Sequence, residues 1–172
     1  MNAEKYTQKA AELINSSQSI AREHGNPELK PAHLLKAMFD DTEGFIVPLL
    51  RSSGADTERL KNGVNELIAK LPHQSGSLYA SNEITQAFDK AEKEAADMKD
   101  EYVSVEHLFL GILETADYEL KNLFARYGRA RRGCEVSWRI RRKAQSRFER
   151  SQEERRQNHT FHRRTSHHSR RG

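Results

Sequence analysis

Two histidines, His33 and His107, are the residues whose chemistry best suits proton transfer or metal binding. Each stands early in an apolar helical stretch: Pro31-Ala32-His33-Leu34-Leu35 and Val105-Glu106-His107-Leu108-Phe109. Neither has a nucleophile nearby or a second ligand at helical spacing, so each reads as a packed, hydrogen-bonded structural histidine. Cys134 is the only cysteine, which excludes a disulfide or a thiolate zinc cluster within one chain. His159, His162, His167 and His168 sit in a polar stretch that can bind metal weakly, and no physiological role is assigned to them. Nothing matches Gly-x-x-x-x-Gly-Lys-Ser/Thr, the loop whose backbone amides cradle phosphates. The expectation is a protein that is not an enzyme, with no cofactor and no resident metal.

The two histidines belong to a repeat. Lys30-Pro31-Ala32-His33-Leu34-Leu35 returns as Ser104-Val105-Glu106-His107-Leu108-Phe109, 74 residues later. The same offset relates Leu49 to Leu123, Leu50 to Phe124 and Gly54 to Gly128. A fixed offset means one small helical unit built twice.

Apolar residues recur at three and four throughout this body, and long alternation at period two is absent, so the fold class is all-α. Thr7 is placed to cap a helix over 8–24, stopped by Gly25-Asn26-Pro27. Pro31 suits the first turn of a helix over 31–39. A short helix spans 44–52, and Gly54 stands where a left-handed residue is wanted. Asp56 caps a helix over 57–70 that turns Leu60, Val64, Leu67 and Ile68 inward. Residues 1–71 form the first repeat and 72–81 an inter-repeat loop. The second repeat starts over with Ser81 capping 82–98, Ser104 capping 105–114, and a helix from about Asp117 to Arg126.

The offset predicts an eighth helix near 131–144, with Cys134, Trp138, Arg141 and Arg142 at the core positions. Two arginines cannot be buried there without partners, so the eighth helix is expected to be degraded or absent. The second repeat thus covers 82–128, extending at most to about 143. Charge changes at the same place. Residues 1–128 carry a net −7 and residues 129–172 a net +11. The body draws 10 of its 14 basic residues from lysine, whereas the tail draws 14 of 15 from arginine. The tail is expected to be disordered, and the abrupt switch reads as translation in another frame after about residue 128.

The body resembles the Clp N-terminal domain of the AAA+ chaperones over about residues 5–128. The resemblance rests on the paired His33 and His107 segments, on Val47-Pro48-Leu49-Leu50-x-x-x-Gly54 and on Lys70-Leu71-Pro72. Asp100-Glu101-Tyr102-Val103-Ser104-Val105-Glu106-His107 is similar to the disaggregase branch of that family. The resemblance implies two pseudo-symmetric four-helix repeats. It implies a docking module for unfolded or aggregated polypeptide or for adaptors, carried above an ATPase ring whose nucleotide-binding modules this sequence lacks. It also implies Thr7, Asp100 and Glu106 as substrate-engaging residues. Beside that stands a plainer reading of each: Thr7 caps a helix, Glu106 complements a helix start and Asp100 ends a turn. Leu78, Tyr79 and Tyr102 suit either an apolar docking surface or the seam between repeats.

Unfolded polypeptides, and full-length Clp ATPase subunits, are the expected partners. Two other readings remain open here: nucleic-acid binding through the arginine-rich tail, expected to be nonspecific, and a stand-alone adaptor-like modulator. No apolar run approaches the roughly 20 residues that span a bilayer, and the first residues lack a secretory signal. No membrane association and a cytoplasmic location are expected.

Overall fold

The computed structural model describes residues 3–74, 76–128 and Arg142. Among these, seven α-helices dominate: α1 (Gln8–Glu23), α2 (Pro31–Asp40), α3 (Ile46–Ser52), α4 (Thr57–Ala69), α5 (Asn82–Asp97), α6 (Val105–Thr115) and α7 (Tyr118–Tyr127). One 3-10 turn, Ala3–Lys5, precedes them.

Local chemistry sets the helix starts. Thr7 Oγ1 accepts the Ala10 amide, Asp56 the Arg59 amide, Ser81 the Ile84 amide and Asp117 the Leu120 amide. Each satisfies a donor that has no partner in a first turn. Pro31 occupies the first turn of α2, where its missing N–H costs nothing. The stops are equally local, with Gly25 at φ 64° and Gly54 at φ 86°. Lys99, at φ 60°, stands one offset after Gly25 and follows α5 as Gly25 follows α1.

The apolar stripes meet in one continuous core. Ile14, Leu34, Leu35, Met38, Leu50 and Leu60 fill the first repeat; Ile84, Leu108, Phe109, Leu110 and Ile112 fill the second. Across the seam α4 lies on α7. The Asp56 amide donates to the Tyr127 carbonyl at 2.9 Å, and the Arg59 guanidinium lies 5.7 Å from the centre of the Tyr127 ring. Leu67, expected to face inward with its stripe, is only half-buried and borders this seam.

Two short pairings, unexpected from the apolar pattern, tie the repeats together. Strand β1 (Glu28–Leu29) runs parallel to β2 (Tyr79–Ala80), with Leu29 opposite Ala80. Tyr6 pairs in parallel with Val103. The 74-residue offset converts the Leu29–Ala80 pair into Val103–Tyr6, so each repeat clasps the other once. The hydrogen bonds follow the same rule. Ser81 donates its amide to Leu29 at 3.0 Å, and Thr7 donates its amide to Val103 at 3.0 Å. The segment 72–81, expected to be loop, thus contains a strand. Two residues per strand are too few for any period-two pattern to show.

The expected eighth helix with Cys134, Trp138 and Arg141, the disorder of the tail and the change of frame lie outside the described residues. Arg142 is exposed.

Candidate docking site

His33 and His107 are fully buried and take the same local role. His33 Nδ1 accepts the Lys30 amide at 3.0 Å, and His107 Nδ1 accepts the Ser104 amide at 3.0 Å. Each histidine sits three residues after the cap and performs the back-bond that glutamate or glutamine makes in a capping box. Because Nδ1 accepts, the neutral ring carries its proton on Nε2.

What Nε2 meets differs between the repeats. His33 Nε2 lies 3.1 Å from Asn26 Oδ1, whose amide nitrogen in turn donates to the Pro72 carbonyl at 3.0 Å. His107 Nε2 lies 3.1 Å from Asp100 Oδ2, off the line a hydrogen bond needs. Asn26 and Asp100 are again one offset apart, and their amides close equivalent turns to the Ala21 and Ala95 carbonyls. Burial pushes the His33 pKa down to about 4. His107 is also lowered by burial, against the opposing charges of Asp100, Glu106 and Glu94. Both rings are structural, and among the described residues no group of three or more His, Cys, Asp or Glu is placed to hold a metal ion.

Thr7, Asp100 and Glu106 each lie within three residues of the Tyr6–Val103 clasp, Thr7 just before α1, Asp100 in the turn after α5 and Glu106 in the first turn of α6. The Thr7 amide is bonded to Val103, three residues from both Asp100 and Glu106. Thr7 is half-buried and caps α1. The Asp100 side chain is 27% exposed. Glu106 is 2% exposed, so it stands behind the surface rather than on it. Next to them Tyr102 shows 48% of its surface to solvent, whereas Tyr6 is buried against Phe88 at 6.4 Å between ring centres. Burial, reinforced by the Glu92 carboxylate, pushes the Tyr6 hydroxyl up to about 12. Lys5 pairs with the same carboxylate at 2.9 Å.

Sequence reasoning missed the Asp100–His107 contact, although the offset linking it to Asn26–His33 was legible. It also missed two clefts away from these residues. One, of about 290 Å³, runs between α4 and α7 and is bordered by Leu67, Leu123, Tyr127 and the exposed Tyr118. The other, of about 440 Å³, is polar and bordered by Arg22, Asn26, His73 and Leu78. Leu78 packs partly against the core, and Tyr79 remains exposed beside β1. Among the described residues no helix is long and apolar enough to cross a membrane.

Comparison with known proteins gives a consistent result. Residues 5–127 match the family model of the Clp repeat (R) N-terminal domain. The chain is 35% identical over 132 residues to the chaperone protein ClpB of Rhodopseudomonas palustris, which covers 74% of the chain and 15% of that protein. It is 40% identical over 116 residues to ClpB of Porphyromonas gingivalis, covering 67% of the chain and 13% of that protein. The chain therefore spans only about a seventh of these relatives' length. Among solved structures, the Hsp104 N-terminal domain of Candida albicans superposes with a TM-score of 0.70 at 24% identity, covering 79% of this chain and 89% of that one. The ClpV N-domain in complex with a VipB peptide superposes with a TM-score of 0.58 at 17% identity, covering 70% and 77%. These last two likenesses establish the fold.

Proposed function

The chain belongs to the Clp repeat N-terminal domain family, and on that premise we propose that it is a docking module for unfolded or aggregated polypeptide, of the kind carried by ClpB-like disaggregases. The observation that supports this most is that Thr7, Asp100 and Glu106 each lie within three residues of one inter-repeat clasp, with Tyr102 exposed next to Val103. An unfolded chain exposes apolar side chains and unpaired amides together. Tyr102 offers the former a ring face, and the Thr7 hydroxyl and Asp100 carboxylate offer the latter acceptors. Glu106, buried behind them, adds negative charge to the same place. A weak surface of this type discriminates by differential affinity, because folded proteins seldom present extended apolar segments together with unpaired amides. The ClpV N-domain, which shares the fold, has been seen with a peptide bound. We place the chain in the cytoplasm, with other Clp subunits as partners that supply ATP-driven work.

The test is binding of a permanently unfolded protein, such as reduced and alkylated lactalbumin, to the purified chain. Thr7→Ala and Glu106→Ala each weaken binding, while Thr7→Ser, which keeps the cap, does not. Unchanged affinity in both alanine variants rejects the rim. Loss of binding in Leu67→Glu instead moves the site to the α4–α7 cleft. No binding by the parent chain rejects docking itself, and ATP turnover by the chain alone rejects a purely non-catalytic role.

A further inference from the structure

The internal repeat supplies a comparison that isolates one charge. In the first repeat Asn26 is 4% exposed and its amide group is used at both ends, by His33 and by the Pro72 carbonyl. In the second repeat the equivalent Asp100 is partly exposed, and among the described residues its carboxylate lies beside His107, at 3.1 Å from Nε2. The turn itself does not require a carboxylate, since the backbone bond to Ala95 that closes it is made equally by Asn26 to Ala21. A second asymmetry lies on the other side of the ring. His107 Nδ1 is 3.1 Å from Ser104 Oγ, whereas a lysine, Lys30, holds the equivalent place beside His33.

We propose that His107 is a positioning residue for Asp100. When neutral, its ring backs the carboxylate without an aligned hydrogen bond and leaves it at the docking rim as an acceptor for cationic or N–H groups of bound polypeptide. When protonated, it draws that carboxylate into an internal ion pair and weakens docking. This rests on the reading of the Asp100 rim as the docking site.

A proton from water adds to the Nδ1 lone pair. The Ser104 amide loses that acceptor, and the new Nδ1–H donates to Ser104 Oγ, a hydroxyl oxygen with free lone pairs. Nε2–H then becomes a charged donor to Asp100 Oδ2. His33 has Lys30 and Asn26 at the equivalent positions, so the first repeat offers the charged ring neither a hydroxyl nor a carboxylate there and takes it up only at about pH 4. The groups facing His107 are Asp100 in the turn after α5, Glu106 on α6 and Glu94 on α5, all of which favour the charged form against burial.

The experiment has two arms on the full chain. The first follows the His107 and His33 imidazoles by NMR titration. Asp100→Asn and Ser104→Ala both make His107 harder to protonate and leave His33 unmoved. A His107 titration indifferent to Asp100→Asn overturns the proposal. The second measures binding of reduced and alkylated lactalbumin at pH 7.5 and 5.5. The parent chain loses affinity at the lower pH, by less than the about tenfold that full loss of one charge-assisted contact would give, because burial holds the His107 pKa below its ordinary value and leaves the ring only partly protonated there. His107→Gln keeps the back-bond to the Ser104 amide but binds without that pH dependence, and so does Asp100→Asn. If His107→Gln retains the parent's pH profile, the proposal fails. Should His107→Gln not fold, Asp100→Asn decides alone, because the first repeat shows that an amide is accepted there. Absence of binding by the parent at both pH values defeats the docking reading, while the titration arm still decides the coupling of His107 to Asp100.

Discussion

Gly111 on α6 faces the Ala87 carbonyl on α5 so closely that the two helices meet backbone to backbone. A Cβ at position 111 would collide with that oxygen and crowd the Ala91 amide. Ala87, Ala91 and Ala95 form a stripe of small residues on α5 that permits the approach. The equivalents in the first repeat are Leu13, Ser17 and Ala21 on α1 facing Ala37 on α2, so a bulkier stripe there meets alanine. Gly111→Ala is expected to lower stability by about 1–3 kcal/mol, the usual cost of overpacking against backbone, even though alanine is the better helix former. Chemical denaturation of the two proteins checks this; an unchanged or raised midpoint would refute it.

His33 should make the fold acid-labile. Its pKa falls from the ordinary 6.5 to about 4 in the folded state through burial. The unfolded state therefore binds more protons between those values, and stability is full above about pH 6.5 and declines as pH falls toward 4. The shift corresponds to about 3 kcal/mol. His33→Gln can still accept the Lys30 amide, as glutamine does in a capping box, and should lose most of this acid sensitivity. Denaturation midpoints of both proteins between pH 7 and 4 test it, and parallel curves would rule the histidine out as the cause.

The reciprocal clasp should be visible as slow exchange outside the helices. Thr7, Tyr79, Ser81 and Val103 donate their amides across the seam, to Val103, Pro27, Leu29 and Lys5 respectively. They can open only if the repeats separate, so their hydrogen exchange should be protected at the level of the helical core. In contrast α7, where Leu120 is its single buried residue, should exchange faster than α2, of whose ten residues all but Lys36 and Asp40 are buried. Fast exchange at Thr7 and Ser81 would mean that the clasp is transient and that the helix faces alone hold the repeats together.

By itself the sequence determined the helices, to within about two residues at each end, because caps and stops are local. Thr7, Pro31, Gly54, Asp56 and Ser81 each act on an amide or a turn within a few positions of themselves. It also determined the duplication and the structural role of His33 and His107, since a lone histidine at the third helical position has a backbone amide within reach. Tertiary structure alone decided the rest. The pairing of Leu29 with Ala80 and of Tyr6 with Val103 involves too few residues to leave a periodic trace and joins segments about 50 and 97 positions apart. Whether Glu106 faces outward depends on how α6 is rotated against α5, and that rotation is set by Gly111 meeting Ala87. The partnership of Asp100 with His107 lay between the two cases. The offset from Asn26 and His33 was written in the chain, but only packing shows that the amide is buried and spent while the carboxylate is left partly exposed at a surface.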